Sequence, residues 1–148
     1  MKAVGLDISG TALAQARENR ALAGLADVVE LRSCGADPYA ALLPTERFDA
    51  IISNPPYIAE ADLERLATEV REHDPYVALA GGVDGLAMVR TVVQGARERL
   101  RPGGALFLEI GAEQGEAVRG ILGSSAPWAV LDIRRDLAGR DRFAIATV

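Results

Sequence analysis

Apolar positions recur along this chain in two rhythms, short continuous runs and a three-to-four-residue spacing, and the two alternate. Ala3-Val4-Gly5-Leu6-Asp7-Ile8 is a short apolar run ending at an acid, which predicts a buried strand. Ser9 stands where it can cap the helix that follows, which carries Leu13, Ala16 and Arg17 and ends near Gly24. Val28-Val29-Glu30-Leu31-Arg32 predicts a second strand, and 33–47 a loop with one helical turn around Ala40 to Leu43. A third strand runs from Phe48 to Ser53. Glu60 to Glu72 reads as a helix with Leu63, Leu66 and Val70 on one stripe. Gly81-Gly82-Val83-Asp84-Gly85 is a turn-rich loop. Beyond it Leu86, Val89, Val93, Ala96 and Leu100 mark an amphipathic helix, stopped by Arg101-Pro102-Gly103-Gly104. Ala105 to Ile110 predicts a fourth strand and Glu113 to Leu122 a helix. Two last strands, Trp128 to Arg134 and Arg142 to Val148, flank the turn 136–141.

Strands alternating with helices imply an α/β fold with a mostly parallel sheet covered on both faces. The last two strands are separated by only a tight turn, whereas parallel neighbours need a crossover of about a dozen residues. The final strand is therefore expected to be antiparallel. With no repeat, low-complexity tract or linker, 1–148 reads as a single domain.

Composition narrows the classes. The 148 residues are 49% hydrophobic and 25% charged, ordinary for a globular protein with a core of its own. No apolar run approaches the ~20 residues that span a bilayer, and Met1-Lys2-Ala3-Val4 opens no signal peptide. The expected location is the cytoplasm. A net charge of −5 argues against a large nucleic-acid footprint. The single cysteine, Cys34, excludes an internal disulfide and a multi-cysteine metal site. The single histidine, His73, sits at a polar helix end and is expected to face solvent. Trp128 is read as packing.

Candidate chemistry gathers at strand ends, where open α/β sheets place their ligands. Ser53-Asn54-Pro55-Pro56-Tyr57 follows the third strand. Its two prolines remove two N–H donors and fix φ twice, leaving a rigid corner rich in acceptors. Such a corner suits a substrate that brings N–H groups, an amide or an exocyclic amine. Asn-Pro alone is an ordinary turn; Tyr57 directly behind the prolines favours a site. Asp7, ending the first strand, can bind the two hydroxyls of a ribose or serve the start of the next helix. Asp37-Pro38-Tyr39 could flank an adenine or form a simple turn. Glu109 ends a buried run and needs a partner or a ligand.

The run Phe48-Asp49-Ala50-Ile51-Ile52-Ser53-Asn54-Pro55-Pro56-Tyr57-Ile58 resembles the signature of methyltransferases that use S-adenosylmethionine to methylate amino or amide nitrogens. Four further stretches are similar to the peptide chain release factor glutamine methyltransferases. They are Asp7-Ile8-Ser9 with the helix behind it, Leu79 to Leu86, Leu108-Glu109-Ile110-Gly111 with Gln114, and Arg135 to Arg142. The resemblance covers essentially the whole chain. It implies a Rossmann-like methyltransferase fold that uses S-adenosylmethionine and acts on a glutamine side-chain amide of peptide chain release factors. It also implies roles. Asn54 and the Pro55 carbonyl would accept the two amide hydrogens, Pro56 would keep the corner rigid and free of donors, and Tyr57 would pack near the reacting methyl. Asp7, Ile8, Asp37 and Asn54 would contact the cofactor, with Asp7 on its ribose. No metal is implied.

The chain departs from that family at its front. The helical domain, the first strand and the Gly-rich loop of such enzymes have no counterpart, so the sequence reads as the carboxyl-terminal portion of a catalytic domain. That first strand would lie between the strands at Ala3 and Phe48. Its absence leads to two expectations: weak or no binding of S-adenosylmethionine, and a homodimer through exposed strand edges or direct pairing of the two orphaned strands. Two alternatives to the release factor reading stand beside it, a nucleic-acid amino methyltransferase and an inactive fragment that folds or binds a partner. A nicotinamide-binding domain fits poorly, since no Gly-x-Gly-x-x-Gly loop is present.

Overall fold

The computed structural model describes residues 2–125 and 127–148. The chain divides into two compact units, Met1–Glu46 and Arg47–Val148. In the first, strand β1 (Ala3–Asp7) leads into helix α1 (Gly10–Leu22) and then strand β2 (Val29–Ser33). The two strands pair in parallel from Ala3 opposite Val29 to Asp7 opposite Ser33. Ser9 caps α1 as expected, its side chain accepting from the Ala12 N–H at 3.2 Å. Gly24, at φ 66°, takes the left-handed turn that ends this helical segment. The loop turn falls at Pro38–Ala41 as a 3-10 helix, slightly earlier than expected.

Among the described residues the second unit holds a four-stranded sheet and four α-helices. Strand β3 (Phe48–Ser53) is followed by a 3-10 helix, Glu60–Arg65, and helix α2 (Thr68–His73). One continuous helix was expected here. Leu66 and Ala67 are extended instead, with ψ of 150° and 141°, and they separate the two pieces. Leu63, Leu66 and Val70 are only half-buried. A short segment with so little packing on its apolar stripe gains too little to propagate past a first turn. Helix α3 (Tyr76–Leu79) is a further turn that the apolar spacing did not indicate.

Helix α4 (Ala87–Arg99) meets its expectation closely. Val89, Val93 and Ala96 are at most 1% exposed, and Leu86 and Leu100 at its two ends are buried with them. Strand β4 (Leu100–Glu109) starts earlier than expected, taking in Arg101 to Gly104. That stretch stays on the ladder because the Gly103 N–H donates to the Val148 carbonyl at 3.0 Å and Gly104 accepts from Val148 at 2.9 Å. The register against β3 shifts at this point, between Phe48 and Ala50. Helix α5 (Gly115–Ser125), strand β5 (Val130–Arg135) and strand β6 (Asp141–Thr147) complete the unit.

The sheet order is β3-β4-β6-β5, with β3 parallel to β4 and β6 antiparallel to both its neighbours, as the short final turn requires. Leu106, Leu108, Ala144 and Ala146 point to one face, each at most 1% exposed. They form a core with Val89, Val93, Val118 and Leu122 from α4 and α5. Trp128 packs beside it, its ring N–H donating to the Leu122 carbonyl at 3.1 Å. Ile52, Phe107, Val130 and Phe143 are exposed. Phe107 lies beside Ile52 and opposite Ile145, so the expected cover on both faces is not seen in this unit. β1 and β2 form a two-stranded sheet in the first unit, and β3 is an edge strand of the four-stranded sheet in the second. Among the described residues no helix is long and apolar enough to cross a membrane.

Candidate active site at the corner after β3

Asn54 leaves the end of β3 exposed, Pro55 is buried, and Pro56 and Tyr57 are half-buried. A buried proline under an exposed asparagine fixes the backbone beneath an accessible amide. Among the described residues no hydrogen bond within the chain engages the Asn54 side chain, so its oxygen is available to a ligand. The segment beyond is tied to the glycine-rich loop ahead of α4. The Ile58 N–H donates to the Leu79 carbonyl at 3.1 Å, and the Gly81 N–H donates to the Ile58 carbonyl at 2.8 Å. Glu60 donates to Gly82 at 3.1 Å.

The loop can approach this closely because of Gly85. Its φ is 74°, and a Cβ there would stand 2.5 Å from the Tyr57 carbonyl and 2.9 Å from Gln114 Nε2. Gln114, just before α5, fills the remaining gap. Its Nε2 donates to the Tyr57 carbonyl at 2.9 Å and to the Gly85 carbonyl at 3.2 Å, while its Oε1 accepts from the Gly111 N–H at 2.9 Å. Three loops meet on one carboxamide.

The Tyr57 ring reaches a charged cluster. Arg142 Nη1 lies 3.3 Å from the Tyr57 hydroxyl and 3.4 Å from the Ile110 carbonyl. Glu109 finds the partner its burial called for, with Arg142 at 3.6 Å. Asp136 stands on the other side of Arg142 at 3.9 Å and also accepts from the Ala138 and Arg140 amides at 2.8 and 3.0 Å. Those donors, the Arg140 amide first, hold the Asp136 carboxyl below its usual range. On the loop itself, Asp84 receives Arg90 and the Leu86 N–H, and the Arg90 hydrogen bonds are the main reason its carboxyl drops to about 2.

The expected cofactor contacts Asp7, Ile8 and Asp37 lie in the first unit. Asp7 is half-buried at the end of β1, and its Oδ1 accepts from the Ser9 N–H at 2.7 Å. Both readings of this acid therefore survive: it serves the start of α1, and a carboxylate retains acceptor sites beyond the one Ser9 uses. Those sites match paired ribose hydroxyls in chemistry. Ile8 is 50% exposed, which leaves it open to a ligand. Asp37 is exposed and caps the 3-10 turn by accepting from the Tyr39 N–H at 2.9 Å. Tyr39 is buried in its own unit, and the Asp37 carboxylate keeps acceptor sites beyond the one the Tyr39 amide uses. Cys34 donates its N–H to the Asp7 carbonyl at 3.0 Å, and burial, aided by the Asp7 charge, pushes its thiol pKa up. A thiol so placed is a poor nucleophile. His73 is exposed at the end of α2.

The second unit thus brings Asn54, Pro55, Pro56 and Tyr57 into one braced corner, and the bracing residues Gln114, Gly85 and Arg142 had no role assigned by sequence reasoning. Their signal was present in the blocks around Leu79–Leu86, Gln114 and Arg135–Arg142, which the structure converges on Tyr57.

Comparison with solved structures identifies the fold. The fold matches a methyltransferase from Pyrococcus furiosus with a TM-score of 0.70 at 17% identity, over 99% of this chain and 62% of that one. It also matches a Streptococcus mutans chain described as a methyltransferase and solved with SAH, with a TM-score of 0.69 at 18% identity, over 99% and 75%. A family model for the RMKL-like methyltransferase domain (UPF0020) matches residues 1–73. The fold is that of the Rossmann-like methyltransferases.

Sequence relatives narrow it. The release factor glutamine methyltransferase of Cereibacter sphaeroides is 48% identical over 143 residues, covering 97% of this chain and 50% of the relative. Those of Bradyrhizobium diazoefficiens and Gloeobacter violaceus are 44% and 41% identical, with 47% and 48% of their lengths covered. Over 95–97% of its length this chain is similar to these release factor glutamine methyltransferases. It spans about half the length of the curated relatives it matches.

Proposed function

We propose that this chain carries the substrate-amide half of an S-adenosylmethionine-dependent methyltransferase acting on a glutamine side chain of peptide chain release factors in the cytoplasm. The observation that carries the reading is the exposed Asn54 amide on a proline-fixed, braced corner. In this reading both units belong to one catalytic domain, 1–148, and exposed strand edges such as those of β1 and β3 serve self-association.

An amide nitrogen is a poor nucleophile because its lone pair is delocalised into the carbonyl. The Asn54 oxygen and the Pro55 carbonyl would each accept one N–H of the substrate amide. Holding both hydrogens leaves the nitrogen lone pair uncontested and favours a more pyramidal nitrogen. Pro55 and Pro56 contribute no donor that could compete for that lone pair. Tyr57 would wall the amide on one side and limit water. The proton on nitrogen is lost to solvent after transfer, so no strong base is needed. Asp7, and with it Ile8, Asp37 and Asn54, would hold S-adenosylmethionine, which supplies an electrophilic methyl group when bound. Positioning of this kind can lower a barrier by roughly 7–11 kcal/mol.

The test is labelled methyl transfer onto release factors and onto nucleic acid in parallel, with Asn54→Ala as control. Transfer to the release factor, reduced about 100-fold or more by Asn54→Ala with a much smaller loss of cofactor affinity, is the expected result. Transfer to nucleic acid alone would establish the amino-methylating alternative. Equal turnover by Asn54→Ala removes the role of the corner.

A further inference from the structure

Tyr57 is gripped at both ends. Arg142 reaches its hydroxyl at 3.3 Å, and Gln114 donates to its carbonyl at 2.9 Å. The second contact bears directly on the corner, because the Tyr57 carbonyl lies two residues after the Pro55 carbonyl on a backbone already stiffened by two prolines. The Gln114 side chain is half-buried, and its three bonds leave little room for rotation. Its orientation follows from those partners: the oxygen faces the Gly111 N–H, and the nitrogen faces two carbonyls.

We propose that Gln114 is a positioning residue: by donating to the Tyr57 and Gly85 carbonyls it sets where the Asn54 and Pro55 acceptors stand. This rests on the reading of those two as the amide acceptors. Among the described residues no backbone N–H donates to the Tyr57 or Gly85 carbonyl; the backbone bonds between the two segments lie further along, at Ile58 and Glu60. The Tyr57 carbonyl is not in the β3–β4 ladder, which ends at Ser53 opposite Leu108. Gly85 can approach only because it has no side chain. Loss of the two donors would leave two carbonyls without a shared partner, and the Ile58 and Glu60 backbone bonds alone would hold the two segments together.

Gln114→Glu isolates the donors, since it keeps an oxygen for the Gly111 N–H and keeps the chain length. At neutral pH its carboxylate would face the two carbonyls with nothing to donate. As pH falls through the carboxyl titration, near 4 or above, the protonated group can again donate one hydrogen. Hydrogen exchange on the full 148-residue chain reads this without reference to activity. Protection at the Ile58 and Gly81 amides should fall at least tenfold at neutral pH and recover in acid, while Phe107 and Leu108 in β4 stay protected. The wild-type chain should show no such step. Gln114→Met, which cannot donate at any pH, should lose the protection without recovery.

Where methyl transfer is measurable, Gln114→Glu should lower kcat at least tenfold at neutral pH and leave the KM for S-adenosylmethionine within twofold. Unchanged protection at Ile58 and Gly81, or an equal loss throughout β4, overturns the proposal. So does an unchanged kcat in an active wild-type background. A wild-type chain without methyl transfer, but with the pH step in Gln114→Glu, would instead remove the proposed function and leave Gln114 as the brace of the corner.

Discussion

At the end of β1 the Asp7 carboxylate is engaged by the amide of Ser9, two residues on; at the end of β3 the Tyr57 carbonyl is engaged by Gln114, 57 residues on. Both are strand ends with candidate chemistry, and they are held by different physics. The first is a local device. Asp7 and Ser9 satisfy amides at the start of α1, and a 13-residue helix behind them is enough to define the geometry. The second is a long-range assembly in which the loops after β3, before α4 and after β4 are joined by one carboxamide and a glycine. A local cap can be altered at modest cost. A convergent corner fails as a unit, because removing the carboxamide leaves part-buried groups on three loops unpaired at once.

The contrast can be broken most directly at Gly85. Gly85→Ala forces a left-handed residue to carry a Cβ and drives that atom against the Tyr57 carbonyl. We expect a loss of about 3 kcal/mol in stability. Trp128, the sole tryptophan, lies in the same unit and reports the loss by fluorescence in urea. A Gly85→Ala chain as stable as wild type would mean that the loop is not pinned to the corner. Ser9→Ala tests the local device and should cost about 1 kcal/mol. Far-UV circular dichroism follows it, and Trp128 fluorescence should not respond if the two units unfold independently.

The smallest effect is on pH. The Asp84 carboxyl is lowered from 3.8 to about 2, chiefly by the Arg90 hydrogen bonds. A group depressed in the folded state contributes stability above its unfolded pKa and loses it as pH falls through the folded one. The chain should therefore weaken slightly between about pH 4 and pH 2, and Asp84→Asn should flatten that part of the profile. Because the side chains of this ion pair are about half exposed, 51% and 49%, the change should also shrink in high salt. An identical acid profile in Asp84→Asn would assign the acid sensitivity to other groups.

Much of this molecule was legible residue by residue. The stripe Leu86, Val89, Val93, Ala96, Leu100 defined α4 because one helical face must be apolar to be buried. Ser9 marked the start of α1 through the chemistry of an orphan amide. The short turn before β6 forced an antiparallel last strand, since no crossover fits in it. The segment 60–72 misled for the complementary reason: its apolar spacing was helical, but Leu63, Leu66 and Val70 are too little buried to hold one helix together. The strand through Arg101 to Gly104 was hidden because the bonds that keep it on the ladder come from Val148.

The same division applies to the corner. The sequence by itself determined its chemistry: Asn54 brings an acceptor, Pro55 and Pro56 remove donors, and Tyr57 adds an aromatic wall. Those are properties of residue types and need no neighbours. Only the tertiary structure decided what holds the corner in place. Gly85, Gln114 and Arg142 come from three distant stretches, and each looks ordinary alone, a turn glycine, a polar residue before a helix, an arginine opening a strand. Their role arises from convergence on Tyr57, and convergence is set by how the strands order in the sheet, which no local pattern encodes.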